Sequence, residues 1–218
     1  MAAPVEQVEP SQAAFNDRTL RYYDWLLEFT CNRIWLCSIE RTLELYQRHL
    51  SSNHLEVGVG TGYFLDRSRF PDPEPRLALL DLNPHCLKHT AARLARHAPE
   101  VYRASALAPI ELGAKRFDSI AINYVLHCMP GVLPEKGIAF ANLKPLLSSG
   151  GVLFGSTVLR QGVPCDLRAR AFMRFYNARK VFCNLQDGLA GLTQALEESF
   201  RDVQIDVMGC VAQFSARA

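Results

Sequence analysis

Leu55-Glu56-Val57-Gly58-Val59-Gly60-Thr61-Gly62-Tyr63-Phe64-Leu65 is the stretch that decides the fold. A short apolar run with β-branched Val57 and Val59 leads into three glycines at alternate positions, and a helix-compatible Tyr63-Phe64-Leu65-Asp66 follows. The pattern reads as strand, tight turn and helix. Glycine lacks a Cβ, so the backbone there can turn with positive φ and approach a ligand, and the helix start behind it offers unpaired N–H groups.

Spacing discriminates among ligands. Gly-x-Gly-x-Gly differs from the Gly-x-Gly-x-x-Gly of dinucleotide-binding units, and Glu56 stands two residues before the first glycine. A carboxylate at that lip suits an ammonium and not a pyrophosphate. Downstream, Leu77-Ala78-Leu79-Leu80-Asp81 is a second apolar run ending in an acid, at the distance where doubly wound folds place a carboxylate on ribose hydroxyls. Together the two signals suggest a nucleoside with an amino-acid tail, S-adenosylmethionine, and disfavour a nicotinamide oxidoreductase.

Two further blocks occur downstream: Phe117-Asp118-Ser119-Ile120-Ala121-Ile122-Asn123 and Leu143-Lys144-Pro145-Leu146-Leu147-Ser148-Ser149-Gly150-Gly151-Val152-Leu153. With Glu56-x-Gly58-x-Gly60-x-Gly62 and Asp81, in this order and spacing, the chain resembles the class I S-adenosylmethionine-dependent methyltransferases over nearly its whole length. The resemblance implies an α/β, Rossmann-like fold with a seven-stranded, mostly parallel sheet, an antiparallel last strand and an N-terminal helical cap. The strings Asn123-Tyr124-Val125-Leu126-His127-Cys128-Met129-Pro130-Gly131 and Gly151-Val152-Leu153-Phe154-Gly155-Ser156 are similar to a subgroup of microbial methyltransferases associated with secondary metabolism.

About half of the 218 residues are apolar, enough for one domain with a sizeable core. Lys plus Arg number 24 against 22 Asp plus Glu, which gives no basic surplus for nucleic acid or an anionic membrane. No apolar run is long enough to span a bilayer and the first residues lack a basic-then-apolar leader, so a cytoplasmic protein is expected. The seven cysteines include no Cys-x-x-Cys, which points to reduced thiols and no metal site.

Residues 1–16 read as a flexible arm and 17–218 as one methyltransferase domain, with 17–52 a helical cap and 160–187 an insertion or lid. In the cap, Leu20, Tyr23 and Leu27 share one helical face, and Ile39, Leu43, Tyr46 and Leu50 another. Strands are expected near 54–59, 77–81, 101–104, 119–123, 152–158, 203–207 and 211–216, with a helix over 134–147. In the insertion, Leu167, Ala171, Phe175 and Ala178 fit one face of a helix whose other face carries arginines.

By resemblance, Gly58, Gly60 and Gly62 let the backbone pack under the methionine portion and Glu56 stands near its ammonium. Asp81, followed by Leu82, accepts the ribose hydroxyls, Ser105 and Ala106 face the adenine, and Asn123 and Tyr124 contact the methionine tail. Tyr23, Trp35, Arg160 and Tyr176 are candidate acceptor contacts. His127, just past the fourth strand, is the candidate general base, since an imidazole titrates near neutral pH; a histidine that merely hydrogen-bonds a neighbour or the cofactor is the alternative. The Asn/Asp-Pro-Pro-aromatic block of many nucleic-acid amino-methyltransferases is missing. A small, rather apolar acceptor is therefore expected, with oxygen ahead of nitrogen or carbon, for a monomer or homodimer. A non-catalytic S-adenosylmethionine-binding scaffold is the alternative from outside enzymology.

Overall fold

In the computed structural model, which describes residues 11–218, the apolar runs become seven strands: β1 Asn53–Val57, β2 Arg76–Asp81, β3 Glu100–Arg103, β4 Phe117–Asn123, β5 Leu147–Val158, β6 Arg201–Met208 and β7 Val211–Arg217. They form one sheet in the order β3-β2-β1-β4-β5-β7-β6, parallel except for β7, which runs antiparallel to both β5 and β6. Alternation of side chains along each strand divides the core. Leu55, Val57, Leu80, Ile120, Ile122 and Leu153 pack on one face, and Leu77, Leu79, Ala121 and Phe154 on the other. Helices cover both faces, as a parallel sheet requires.

The helices are α1 Asp17–Thr30, α2 Ile39–His49, α3 Tyr63–Arg67, α4 Pro84–Arg93, α5 Leu133–Lys136, α6 Ile138–Leu143, α7 Leu167–Ala178 and α8 Leu189–Ser199. Capping sets several starts. Asn16 Oδ1 accepts the N–H groups of Arg18 and Thr19 at 3.1 Å each, while Thr19 Oγ1 accepts the Asn16 N–H, so α1 opens on a reciprocal cap. Asn83 caps α4, whose first residue is Pro84. Residues 1–10 of the expected arm lie outside the described residues. Its remainder is seated, because Asn83 Nδ2 donates to the carbonyls of Gln12 (3.0 Å) and Phe15 (2.8 Å) and Ser11 is buried.

Three expectations change. The helix over 134–147 is broken into α5, α6 and a 3-10 turn at Lys144–Leu146. Gly137 sits at the first break where a Cβ would lie 3.0 Å from Ala195 Cβ of α8, and Pro145 lacks the N–H that would continue the second. Gly150 and Gly151, expected as a turn, lie inside β5 next to the irregularity in its pairing with β4. Helix α7 is rotated: Leu167 is 81 % exposed and Phe175 50 %, while Ala169 and Met173 are buried. Its inward face also carries Phe172 and Tyr176, whose rings join Trp35 and Phe182, so aromatic packing outweighs the Leu-Ala-Phe stripe.

The segment after β5 is pinned by one buried ion pair. Lys136 is 0 % exposed, and its Nζ donates to Asp187 Oδ2 and to the Cys183 carbonyl, each at 2.6 Å. Burial pushes the Asp187 carboxyl up while Lys136 opposes that shift. A charge left alone at such a place costs more than the pair itself contributes. Lys136→Met is therefore expected to lower unfolding free energy by about 3–5 kcal/mol, and Lys136→Met with Asp187→Leu to recover part of that loss in urea unfolding.

Candidate functional site

The carboxyl ends of β1, β2 and β4 line a half-open pocket, the place where doubly wound folds bind their ligands. Glu56, Gly58, Gly60, Gly62, Asp81, Asn123, Tyr124 and Tyr23 all line it. A second pocket shares Gly58 and Asp81 with it and brings in Leu82, Ser105 and Ala106. Every residue expected to hold the cofactor thus opens on one of two connected spaces. Only Tyr23 of the expected acceptor contacts does so.

The glycine turn is shaped by two different constraints. Gly58 has φ +71°, and a Cβ there would come within 2.2 Å of Val125 Cγ2. At Gly60, with φ +51°, a Cβ would meet no protein atom within 4 Å, so this position faces open space where a ligand can approach the backbone. Asn123 adds a second sign of a missing partner. Its Oδ1 accepts the Ser156 hydroxyl at 2.9 Å, and its buried Nδ2 makes no well-formed hydrogen bond among the described residues, with the Tyr46 hydroxyl its neighbour.

Two acids stand on neighbouring strands. Glu56 Oε1 accepts the Tyr46 hydroxyl at 2.5 Å and Oε2 faces His54 Nε2 at 3.1 Å. Asp81 Oδ1 accepts the Asn83 N–H at 2.8 Å. Burial pushes its carboxyl up to about 6, against the pull of hydrogen bonds from the backbone at Asn83, Val59, Gly60 and Leu82. Backbone N–H groups hold Asp81, and its side toward the pocket is open to ribose hydroxyls.

Helix α1 is latched over the turn by groups that carry no motif in the sequence. Thr61 Oγ1 donates to Asp24 Oδ1 at 2.6 Å, and Arg93 Nη1 donates to Asp24 Oδ2 at 2.8 Å and to the Thr61 carbonyl at 3.1 Å. Arg93 Nε also donates to Asp66 Oδ2 at 3.0 Å, and the Tyr63 hydroxyl donates to Glu28. The latch turns Tyr23 and Leu27 into the cavity. Asp24 belongs to the expected cap; its partners Thr61 and Arg93 lie far along the chain and give no local signal.

His127 departs from its expected role. It is 4 % exposed and lines neither cavity. Its ring meets Phe182 edge-on at 4.5 Å, and Nδ1 accepts the Val158 N–H at 3.5 Å. Burial, with repulsion from Lys136, holds its pKa at about 3. Buried away from both pockets and with its pKa pushed down, His127 fits the hydrogen-bonded alternative better than a general base.

Trp35, Arg160 and Tyr176 also stand apart from the cavities. Trp35 is 3 % exposed, packs edge-on against Phe172 and accepts the Cys210 N–H on its carbonyl at 3.0 Å. Tyr176 stacks with Phe182, and the Arg160 N–H donates to the Asp187 carbonyl at 3.0 Å. Trp35 and Tyr176 belong to the aromatic cluster with Phe172 and Phe182.

Residues 55–153 match the family model described as a methyltransferase domain. Over 97 % of this chain and 92 % of the relative, 40 % of residues are identical to demethylluteothin O-methyltransferase of Streptomyces thioluteus. Methyltransferase ctvB of Aspergillus terreus is 39 % identical over 98 % of this chain and 96 % of its own. Among solved structures, a DhpI–SAH complex superposes with a TM-score of 0.70 over 99 % of this chain and 98 % of that one, at 13 % identity, which is a likeness of fold.

Two outcomes are expected in titrations with S-adenosylhomocysteine. With burial raising the Asp81 carboxyl to about 6, affinity should fall as pH drops below that value, by up to about tenfold per pH unit, and stay level above pH 7. The same raised pKa favours folding at low pH, and that contribution is lost as pH rises through about 6. Gly60→Ala should weaken binding while Gly58→Ala, which meets Val125, should mainly lower the melting temperature.

Proposed function

This chain belongs to the methyltransferase-domain family, and from that premise we propose that it moves the methyl group of S-adenosylmethionine to an acidic hydroxyl of a small, apolar metabolite. The observation that carries the choice of oxygen is the 40 % identity to demethylluteothin O-methyltransferase along nearly the entire chain. It favours an enzyme over a non-catalytic scaffold. The glycine spacing and Glu56 argue against a nicotinamide cofactor.

The donor set fits the cofactor. Asp81 accepts the ribose hydroxyls, Glu56 takes the ammonium, and Asn123 Nδ2 donates to an oxygen of the ligand tail. Gly60 leaves room for close backbone approach, and Ser105 and Ala106 form the adenine side of the adjoining space. Ser105 Oγ accepts the Leu107 N–H at 3.2 Å and so shapes that loop. When bound, S-adenosylmethionine supplies a methyl group on a sulfonium, an electrophile that needs alignment more than acid or base assistance.

The acceptor's own acidity follows from the titratable groups at the cavity. Burial pushes the Tyr23 phenol and the Cys86 thiol well up and the Cys128 thiol up to about 12. With His127 held near 3, none of these groups serves as a base near neutral pH, and the carboxylates of the pocket, Glu56 and Asp81, are engaged by the cofactor in this reading. A phenolic or enolic hydroxyl can ionise into water before transfer, whereas an aliphatic alcohol would need a base. Tyr23 and Leu27 on α1 keep bulk water from the reacting groups once the latch is closed.

Incubation with S-adenosylmethionine and a panel of phenols, hydroxypyrones, aliphatic alcohols and amines tests this reading. Methyl ethers from the acidic hydroxyls alone are expected, with rates rising with pH through the acceptor's pKa; exclusive methylation of amines would contradict it. His127→Gln should lower turnover by less than about tenfold, where loss of a true general base costs roughly 10²–10⁴-fold.

A further inference from the structure

With Glu56 as the receptor of the cofactor's ammonium, an assignment that rests on the proposed function, the group behind its carboxylate acquires a role. Tyr46 and Glu56 line the cavity, but His54, which meets Oε2 from behind, does not. His54 is 0 % exposed and lies two residues before Glu56 on β1, so both side chains leave the same face of the sheet. Phe154 and Phe70 flank the imidazole, with centroids 5.9 and 6.5 Å away.

The far side of that ring is also built. Nδ1 lies 2.8 Å from Ser119 Oγ of β4. Ser119 Oγ accepts the Ser51 N–H at 3.0 Å and lies 2.7 Å from Ser51 Oγ, which donates to the Asn53 carbonyl at 2.9 Å. Each serine carries one hydroxyl proton, so when Ser119 donates to Nδ1 the Ser51 proton turns to Ser119 Oγ instead of the Asn53 carbonyl, and Nδ1 is satisfied as an acceptor. Nε2 remains the donor that an ionised Glu56 requires, and the Tyr46 hydroxyl occupies the other oxygen. Rotation of the carboxylate away from the cavity would break both bonds.

We propose that His54, seated on Ser119 and Ser51, is a positioning residue that aims the Glu56 carboxylate at the ammonium and thereby sets selectivity for the amino-acid end of the cofactor. It touches no ligand itself. Its effect is specific to ligands that carry the ammonium, which separates it from a residue that only supports the sheet.

Calorimetric titration with two ligands tests this. S-adenosylhomocysteine carries the ammonium, and 5′-methylthioadenosine shares its nucleoside thioether without the amino-acid end. His54→Leu and Ser119→Ala should each weaken S-adenosylhomocysteine by about tenfold or more, the loss of a hydrogen bond to a charged group, and leave methylthioadenosine within about twofold. His54→Gln, which can return an N–H toward Glu56, should recover most of the loss. Ser119→Ala keeps the test open if His54→Leu does not fold. Equal weakening of both ligands, or none for S-adenosylhomocysteine, overturns the proposal. An unaltered protein that binds neither ligand removes the cofactor assignment itself, a separate failure.

Discussion

Two carboxylates at the carboxyl ends of adjacent parallel strands are the constraint on which the rest of this structure depends. Glu56 and Asp81 both lie where water is scarce, and an uncompensated charge there would be too costly to keep. The fold meets that cost in different ways. Glu56 is matched by side chains, Tyr46 from α2 and His54 from its own strand. Asp81 is matched by backbone N–H groups of the turn and of the start of α4, against which burial raises its pKa. One acid is thus held by side chains and the other by the backbone, and both open on the same pocket, as a ligand with an ammonium at one end and a diol at the other would require.

The latch over the glycine turn extends the same logic. Arg93 compensates Asp24 and Asp66 together, and in doing so fastens α1 to the turn that the ligand must approach. Holding α1 over the turn and neutralising Asp24 and Asp66 are therefore one set of interactions. Glu28 and Tyr63 repeat the arrangement one helical turn further along α1. The Lys136–Asp187 pair fixes the segment that carries Phe182 against His127, so that segment is held by a buried charge pair and aromatic packing.

Much of this was legible in the sequence because it depends on local rules. The alternation of apolar runs and helices, the glycine turn and the acid at the end of β2 each follow from a few consecutive residues. What was illegible depends on partners far apart in the chain. The rotation of α7 is decided by Trp35 and Phe182, not by the apolar spacing of α7 itself. His127 looked like a base because an isolated imidazole titrates near neutrality; its burial and Lys136 reverse that. The helix expected over 134–147 broke where Gly137 meets Ala195, a contact that no short window of sequence contains. His54 gave no signal at all, since Ser119 and Ser51 reach it only through the pairing of β1 with β4.

The central claim is that Glu56, the glycine turn and Asp81 form one receptor for the adenosyl amino acid. Isothermal titration of the purified protein with S-adenosylhomocysteine, repeated on Asp81→Ala, tests it most directly. Micromolar binding in the unaltered protein that falls to millimolar in the variant, a loss of about 4 kcal/mol, is the predicted result. Binding that is absent from the unaltered protein, or that survives Asp81→Ala unchanged, would contradict it.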